Sequence, residues 1–145
     1  MIVLYADTSA VIGAYLADEP GHDSLTAMLF DGDDPVVTSE LTRVELASAV
    51  AAAARAGRLP PDTGLLERFD ADCGDDGPLT LIRFDAAEVL PLARQMVGAH
   101  RLRTLDALHL GVARTGAVAL ADEIVLVSRD VRQSEAAAEL GMAVC

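Results

Sequence analysis

At 145 residues the chain has the length of one compact domain, and 52% hydrophobic against 23% charged residues excludes wholesale disorder and low-complexity architecture. Aromatic residues make up only 3%, with no Trp, so the core is aliphatic and the stacking platforms of an RNA-recognition sheet are excluded. A net charge of −12 repels phosphate backbones at long range, so any contact with nucleic acid must be local.

In chain order, Ile2-Val3-Leu4-Tyr5 has no polar face and reads as a buried strand, and Asp7-Thr8-Ser9 supply N-cap types for a helix through Ala10–Leu16. Gly21–Phe30 reads as a helix and Pro35–Thr38 as a strand, with Ser39 capping an Ala-rich helix, Glu40–Ala56, that Gly57 and Pro60-Pro61 stop. A helix over Asp62–Asp72 and a turn over Cys73–Pro78 lead to the strand Leu79–Ile82. Asp85 caps a helix reaching His100, in which Pro91 is a site for a kink, and Thr104 caps a helix over Leu105–Arg114. Ile124–Val127 is a buried strand, Asp130–Leu140 a last helix, and Gly141 releases the chain into Met142-Ala143-Val144. Short apolar strands separated by helices, without repeat or linker, predict one α/β domain over residues 1–145 with a short, mostly parallel sheet. The crevice of such a sheet lies at the carboxyl ends of its strands, so polar residues just after strands are the candidates for chemistry.

All 11 bases are Arg, which removes lysine Schiff-base and P-loop chemistry. Cys73 and Cys145 form neither a disulfide framework nor a zinc site, as expected in a reducing cytoplasm. Met1–Leu16 lacks a basic leader and Leu46–Ala54 is too short for a bilayer, so the expectation is a cytoplasmic protein with no membrane partner.

Asp7 follows the first strand and Asp130 the strand Ile124–Val127; each is either a helix N-cap or a crevice residue. Glu45 shares a helix face with Leu41, Ala49 and Ala52, so its carboxylate is partly buried and needs a basic partner such as a distant Arg, a cation, or a raised pKa. Asp106 sits in a helix's first turn, with His109 three residues on, either packed and hydrogen-bonded near the core or supporting Asp106. Four converging carboxylates cannot all stay ionised without a counter-charge, and with no Lys a hard divalent cation is the economical answer. Oxygen-only ligands suit Mg²⁺ or Mn²⁺, and such a site suits phosphodiester hydrolysis.

Taken in order, Asp7-Thr8-Ser9, Ser39-Glu40-Leu41-Thr42-Arg43-Val44-Glu45-Leu46, Leu105-Asp106-Ala107-Leu108-His109 and Val127-Ser128-Arg129-Asp130 resemble a PIN-domain ribonuclease of the VapC toxin type. The resemblance implies a PIN-like three-layer α/β/α sandwich, a Mg²⁺- or Mn²⁺-dependent endoribonuclease cutting RNA, a cognate antitoxin partner that inhibits it, and a homodimer. It carries catalytic roles onto Asp7, Glu45, Asp106 and Asp130, with Asp7 and Asp106 as direct metal ligands and Glu45 and Asp130 acting through water. Thr8, Ser9 and Ser128 match hydroxyl positions that orient carboxylates or hold a water, or else cap helices. Glu40 reads instead as a first-turn dipole residue.

RNA contact by so acidic a chain needs local bases. His100, Arg101 and Arg103 precede Asp106, and Arg129 and Arg132 flank Asp130, placed for phosphates or simply as solvated helix-end charges. The acidic site also suits a basic antitoxin tail, and apolar surface on Glu40–Ala56 or Gly21–Phe30 suits a partner or twin subunit. Receiver and haloacid-dehalogenase-like domains fit less well, lacking here their paired acids after the first strand; a catalytically silent binding module is the remaining alternative.

Overall fold

The structure, a computed structural model, describes residues 1–117 and 119–145. Five strands form its sheet: β1 (Ile2–Ala6), β2 (Val36–Ser39), β3 (Leu79–Ile82), β4 (Glu123–Val127) and β5 (Ala143–Val144). Between them lie α1 (Thr8–Tyr15) and α2 (His22–Phe30), α3 (Leu41–Arg55) and α4 (Leu65–Asp72), α5 (Ala86–His100) and α6 (Thr104–Val112), and α7 (Val131–Glu139). All pairings in the sheet are parallel, in the order β3-β2-β1-β4-β5.

Alternation along the strands builds the layers, because successive side chains leave a strand on opposite faces. Val3 and Tyr5 of β1 and Val37 of β2 join a core with Val89, Met96 and Leu110 of α5 and α6 and Ala136 of α7. Leu4, Ala6 and Val36 join the opposite core with Val11, Leu29, Leu46 and Phe69 from α1 to α4. The result is an α/β/α sandwich whose largest buried side chains are mostly aliphatic, as the aromatic-poor composition requires.

Strand order positions the site. The chain builds outward from β1 through β2 to β3, then returns to lay β4 on the other side of β1. The connections that follow β1 and β4 therefore leave in opposite directions above the β1–β4 seam, which is where open parallel sheets leave a crevice. Ala6 pairs with Val127 at the carboxyl ends, and the Asp7 N–H donates to the Val127 carbonyl at 3.1 Å.

Local boundaries differ from the sequence reading in a few places. α4 begins at Leu65 rather than Asp62, because Gly64 takes a left-handed conformation (φ 66°) and sets the entry. Thr104 is the first residue of α6, with Arg103 rather than Thr104 at the cap position. Regular α6 ends at Val112, and Ala113–Ala117, including Arg114, forms one π-helical turn. Glu40 precedes α3 rather than opening its first turn; its Oε1 accepts from the Phe84 N–H at 2.5 Å, tying α3 to the loop after β3. α5 continues through Pro91. On α2, Leu25 and Leu29 face the core while Met28 and Phe30 stay partly exposed; large exposed aliphatics lie at Val44 on α3, within the expected Glu40–Ala56 surface, and at Leu90 and Val97 on α5. Among the described residues no helix is long and apolar enough to cross a membrane.

Candidate active site

Asp7 leaves β1 with extended backbone and caps α1, its Oδ1 accepting from the Ala10 N–H at 2.9 Å. The same oxygen accepts from Ser9 Oγ at 2.7 Å, and Oδ2 accepts from Ser128 Oγ at 2.6 Å. The carboxyl is thus a helix cap and a crevice residue at once. It is 3% exposed, and burial pushes its pKa up although Ser128, Ser9, the Ala10 N–H and the His109 charge pull the other way.

Glu45 projects from α3 toward α1 and α6. Its Oε1 accepts from Thr8 Oγ1 at 2.8 Å and lies 2.5 Å from His109 Nε2. Burial alone raises this carboxyl, but the His109 hydrogen bond and charge, with the Thr8 hydroxyl, bring it below the ordinary glutamate range. His109, 3% exposed, is held from its other nitrogen by Tyr5, with Oη 2.9 Å from Nδ1. A hydroxyl chain continues behind: Thr8 meets Thr42 at 3.1 Å, Thr42 meets Thr38 at 3.0 Å, and Thr38 donates to the Ala6 carbonyl at 2.7 Å.

Asp106 stands in the first turn of α6 and Asp130 at the cap of α7, where Oδ1 accepts from the Arg132 N–H at 2.9 Å. Burial raises the Asp106 pKa, and the charges of Asp130 and Asp7 add to it against the opposing Arg103. Arg103 reaches both acids, with Nε 3.5 Å from Asp106 Oδ2 and a terminal nitrogen 3.4 Å from Asp130 Oδ2. All four carboxylates line one cavity of about 180 Å³, with Thr8, Ser9 and His109 in its wall.

Residues 4–139 match the family model of the PIN domain. The chain belongs to the PIN-domain family. It is 34% identical over 143 residues to Ribonuclease VapC35 of Mycobacterium tuberculosis, a match covering 98% of this chain and 95% of that protein. In three dimensions it resembles PAE2754 from Pyrobaculum aerophilum, with a TM-score of 0.64 at 18% identity over 99% of this chain and 83% of the other. A toxin-antitoxin complex from Klebsiella pneumoniae gives 0.61 at 14% identity, covering 90% of this chain and 89% of that one. At such identities the two structures speak for the fold alone.

In this PIN domain the carboxylates have partners that the sequence reading placed elsewhere. Glu45 pairs with His109 rather than a distant Arg, and His109 serves Glu45 rather than Asp106. The missing counter-charge is partly internal, supplied to Asp106 and Asp130 by Arg103, while Glu45 has a hydrogen-bond partner in His109. Arg129 is committed to Glu19 at 3.1 Å, while its N–H donates to Ser9 Oγ at 2.9 Å. Arg101 closes α5 in a left-handed conformation (φ 54°) and lines a separate cavity with His100 and Arg132. Among the described residues no three His, Cys, Asp or Glu side chains are grouped tightly enough to hold a metal ion by themselves.

Sequence reasoning missed Tyr5, Thr38, Thr42 and Gln133. Gln133, 1% exposed, receives Ser128 Oγ at 3.3 Å and donates to the Asp106 carbonyl at 3.2 Å, so it joins the two motifs that carry Asp106 and Asp130. The spacing Asp130-Val131-Arg132-Gln133 is that of a capping box and was a readable signal. Thr38 and Thr42 carried a weaker one, as hydroxyls at the end of a strand and one turn into the next helix. Tyr5 carried none, since its position reads only as buried strand.

Proposed function

We propose that this PIN-domain protein is an endoribonuclease toxin that hydrolyses RNA phosphodiester bonds in its acidic cavity and is inhibited by a cognate antitoxin. The observation that carries the reading is the meeting of Asp7, Glu45, Asp106 and Asp130 in one cavity at the β1–β4 switch point. The relative named Ribonuclease VapC35 supports the chemistry, and the neighbour described as a toxin-antitoxin complex supports the partner.

The donor set fits a hard divalent ion. It is made of carboxylate oxygens, and the raised pKa values of Asp7 and Asp106 mark negative charge crowded in a poorly solvated place. Mg²⁺ commonly takes one or two carboxylates and keeps several waters, which suits a site lacking a three-residue cage. Asp7 and Asp106 would hold Mg²⁺ or Mn²⁺ directly, with Glu45 and Asp130 acting through water. When bound, a divalent cation acidifies water and offsets charge in an in-line displacement at phosphorus.

The chain's own groups do the rest. Ser9 and Ser128 hold the two oxygens of Asp7 in place, and His109 with Thr8 keeps Glu45 ionised and oriented. Oε1 of Glu45 takes both of those bonds, which leaves Oε2 to accept a proton from the attacking water. Arg103, paired with Asp106 and Asp130, offers a phosphate contact beside the cavity, and Arg101 and Arg132 offer more from the separate cavity at the end of α5, whereas Arg129 contributes through its backbone. The reading places the protein in the cytoplasm, as a homodimer covering apolar surface such as Leu90 and Val97 of α5.

A mixed RNA pool incubated with Mg²⁺, Mn²⁺ or EDTA tests the proposal. Cutting by wild type with either metal, and its loss both in EDTA and in Asp106→Asn, is expected; cutting that survives either change overturns it. Arg103 lying between Asp106 and Asp130 favours one second reading, a silent PIN-like binding module. Capture of RNA without cleavage in any metal would select that reading.

A further inference from the structure

The acidic cavity adjoins a second one of about 410 Å³ that shares Glu45 and Asp106 and is completed by Arg103, Thr104 and Leu105 at the start of α6. We propose that this second cavity seats one unstacked nucleobase of single-stranded RNA next to the scissile phosphate. The inference rests on the ribonuclease reading and adds where the substrate's sequence is read.

Its chemistry suits a base better than a phosphate. Arg103 is drawn to Asp106 and Asp130, which leaves little charge here for a phosphate, whereas the Thr104 hydroxyl can hydrogen-bond a base edge. Leu105 is 45% exposed in its wall, and Val44, beside Glu45 on α3, is 74% exposed. Leu105 is the apolar cover beside the place of cleavage, while Val44 lies outside the lining and serves as an exposed control. With aromatics at 3% of the chain, an aliphatic face is the means this protein has for covering a base. α6 starts without a side-chain cap, so its first-turn N–H groups are donors for a base carbonyl. The volume falls within the range of about 300–1,000 Å³ typical of small-ligand sites.

The cavity between the end of α5 and α7 has the opposite character. There His100, Arg101 and Arg132 bring three bases against Glu135 and Glu139, and Glu139 is already paired with His100 at 2.7 Å. Phosphates of the flanking strand fit that side. A base inside a duplex is stacked and paired, so the base subsite requires a single strand or a loop.

The test is cleavage of a single-stranded RNA oligomer and of copies with one abasic ribose at each position in turn, by wild type and by Leu105→Ala and Val44→Ala. Both variants change exposed residues outside the carboxylate set. The expected result is one position near the cut where base removal lowers kcat/KM by about fivefold through KM. Leu105→Ala is expected to show the same loss on intact RNA and no further loss on the abasic copy. A flat abasic profile with normal cleavage overturns the base subsite and leaves the ribonuclease reading standing. A profile unchanged in both variants, with weaker capture of an Arg-containing amphipathic peptide, assigns the surface to protein contact and also overturns it. No cleavage of any oligomer by wild type with Mg²⁺ or Mn²⁺ overturns both.

Discussion

The two halves of the acidic cavity are held by different means. Asp7 and Glu45 are clamped by side chains from three parts of the chain, Thr8 and Ser9 of α1, Ser128 after β4 and His109 of α6, with Tyr5 and Thr42 behind them. Asp106 and Asp130 share Arg103, whose side chain is 74% exposed. Asp7 is buried, but Glu45 is as accessible as the second pair, 23% against 19% and 21% for Asp106 and Asp130, so for Glu45 the contrast lies in the partners. Folding sets the first half, because its hydrogen bonds are part-buried and backed by the buried Tyr5, Thr42 and Ala10 contacts, and are costly to leave unmade. The second half answers to solvent, salt and ligand, as exposed ion pairs do.

The most severe way to break this comparison is Asp7→Asn. It is expected to lower RNA cleavage by about 100-fold or more while leaving the fold intact. Ionised Asp7 is buried at a cost, so the neutral amide should match or exceed wild-type thermal stability. A variant that unfolds would show that Asp7 is held for structure alone, and one that still cuts would remove it from catalysis.

Next in size is His109→Phe, which strips Glu45 and the Tyr5 hydroxyl of a buried partner. A loss of roughly 2–3 kcal/mol in denaturant unfolding is expected. A loss below the size of an exposed ion pair would place Glu45 in the adjustable half instead.

Acid titration sharpens the contrast further. Glu45 has a lowered folded-state pKa, so its contribution is present above the ordinary glutamate range and is lost as pH falls through the folded value. Asp7 and Asp106 have raised values and act oppositely. On acidification the folded state takes up their protons first, so it gains stability as pH falls through the raised values toward the ordinary aspartate range. Unfolding free energies measured across mildly acidic pH should show a smaller gain in the double variant Asp7→Asn, Asp106→Asn than in wild type. Equal slopes would contradict the assigned shifts.

The smallest effect is expected from Arg103→Gln, which should change stability by less than about 1 kcal/mol. It should nonetheless tighten Mn²⁺ binding, read by calorimetry, because Asp106 and Asp130 lose their internal counter-charge. Unchanged affinity would mean that Arg103 does not compete for those oxygens.

Much of the fold was legible in the residues. Runs such as Leu79–Ile82 and Ile124–Val127 have no polar face, a pattern that buried parallel strands need, and Asp85 and Asp130 announced the helices they cap. The start of α4 lies three residues later than the sequence suggests because Asp62-Thr63 are poor helix formers and Gly64 takes a left-handed conformation. The acids of the site were nameable from their places after strands and on helix faces. Their partners were not: His109 lies 64 residues from Glu45, and Gln133 lies 27 from Asp106.

From the order of its residues alone, this protein's layered α/β architecture, the PIN resemblance and the four carboxylates followed, since periodicity, caps and short motifs are local properties of a chain. Which side chain neutralises which carboxylate was decided by the tertiary structure, because charges interact through space and the return of β4 beside β1 sets those distances.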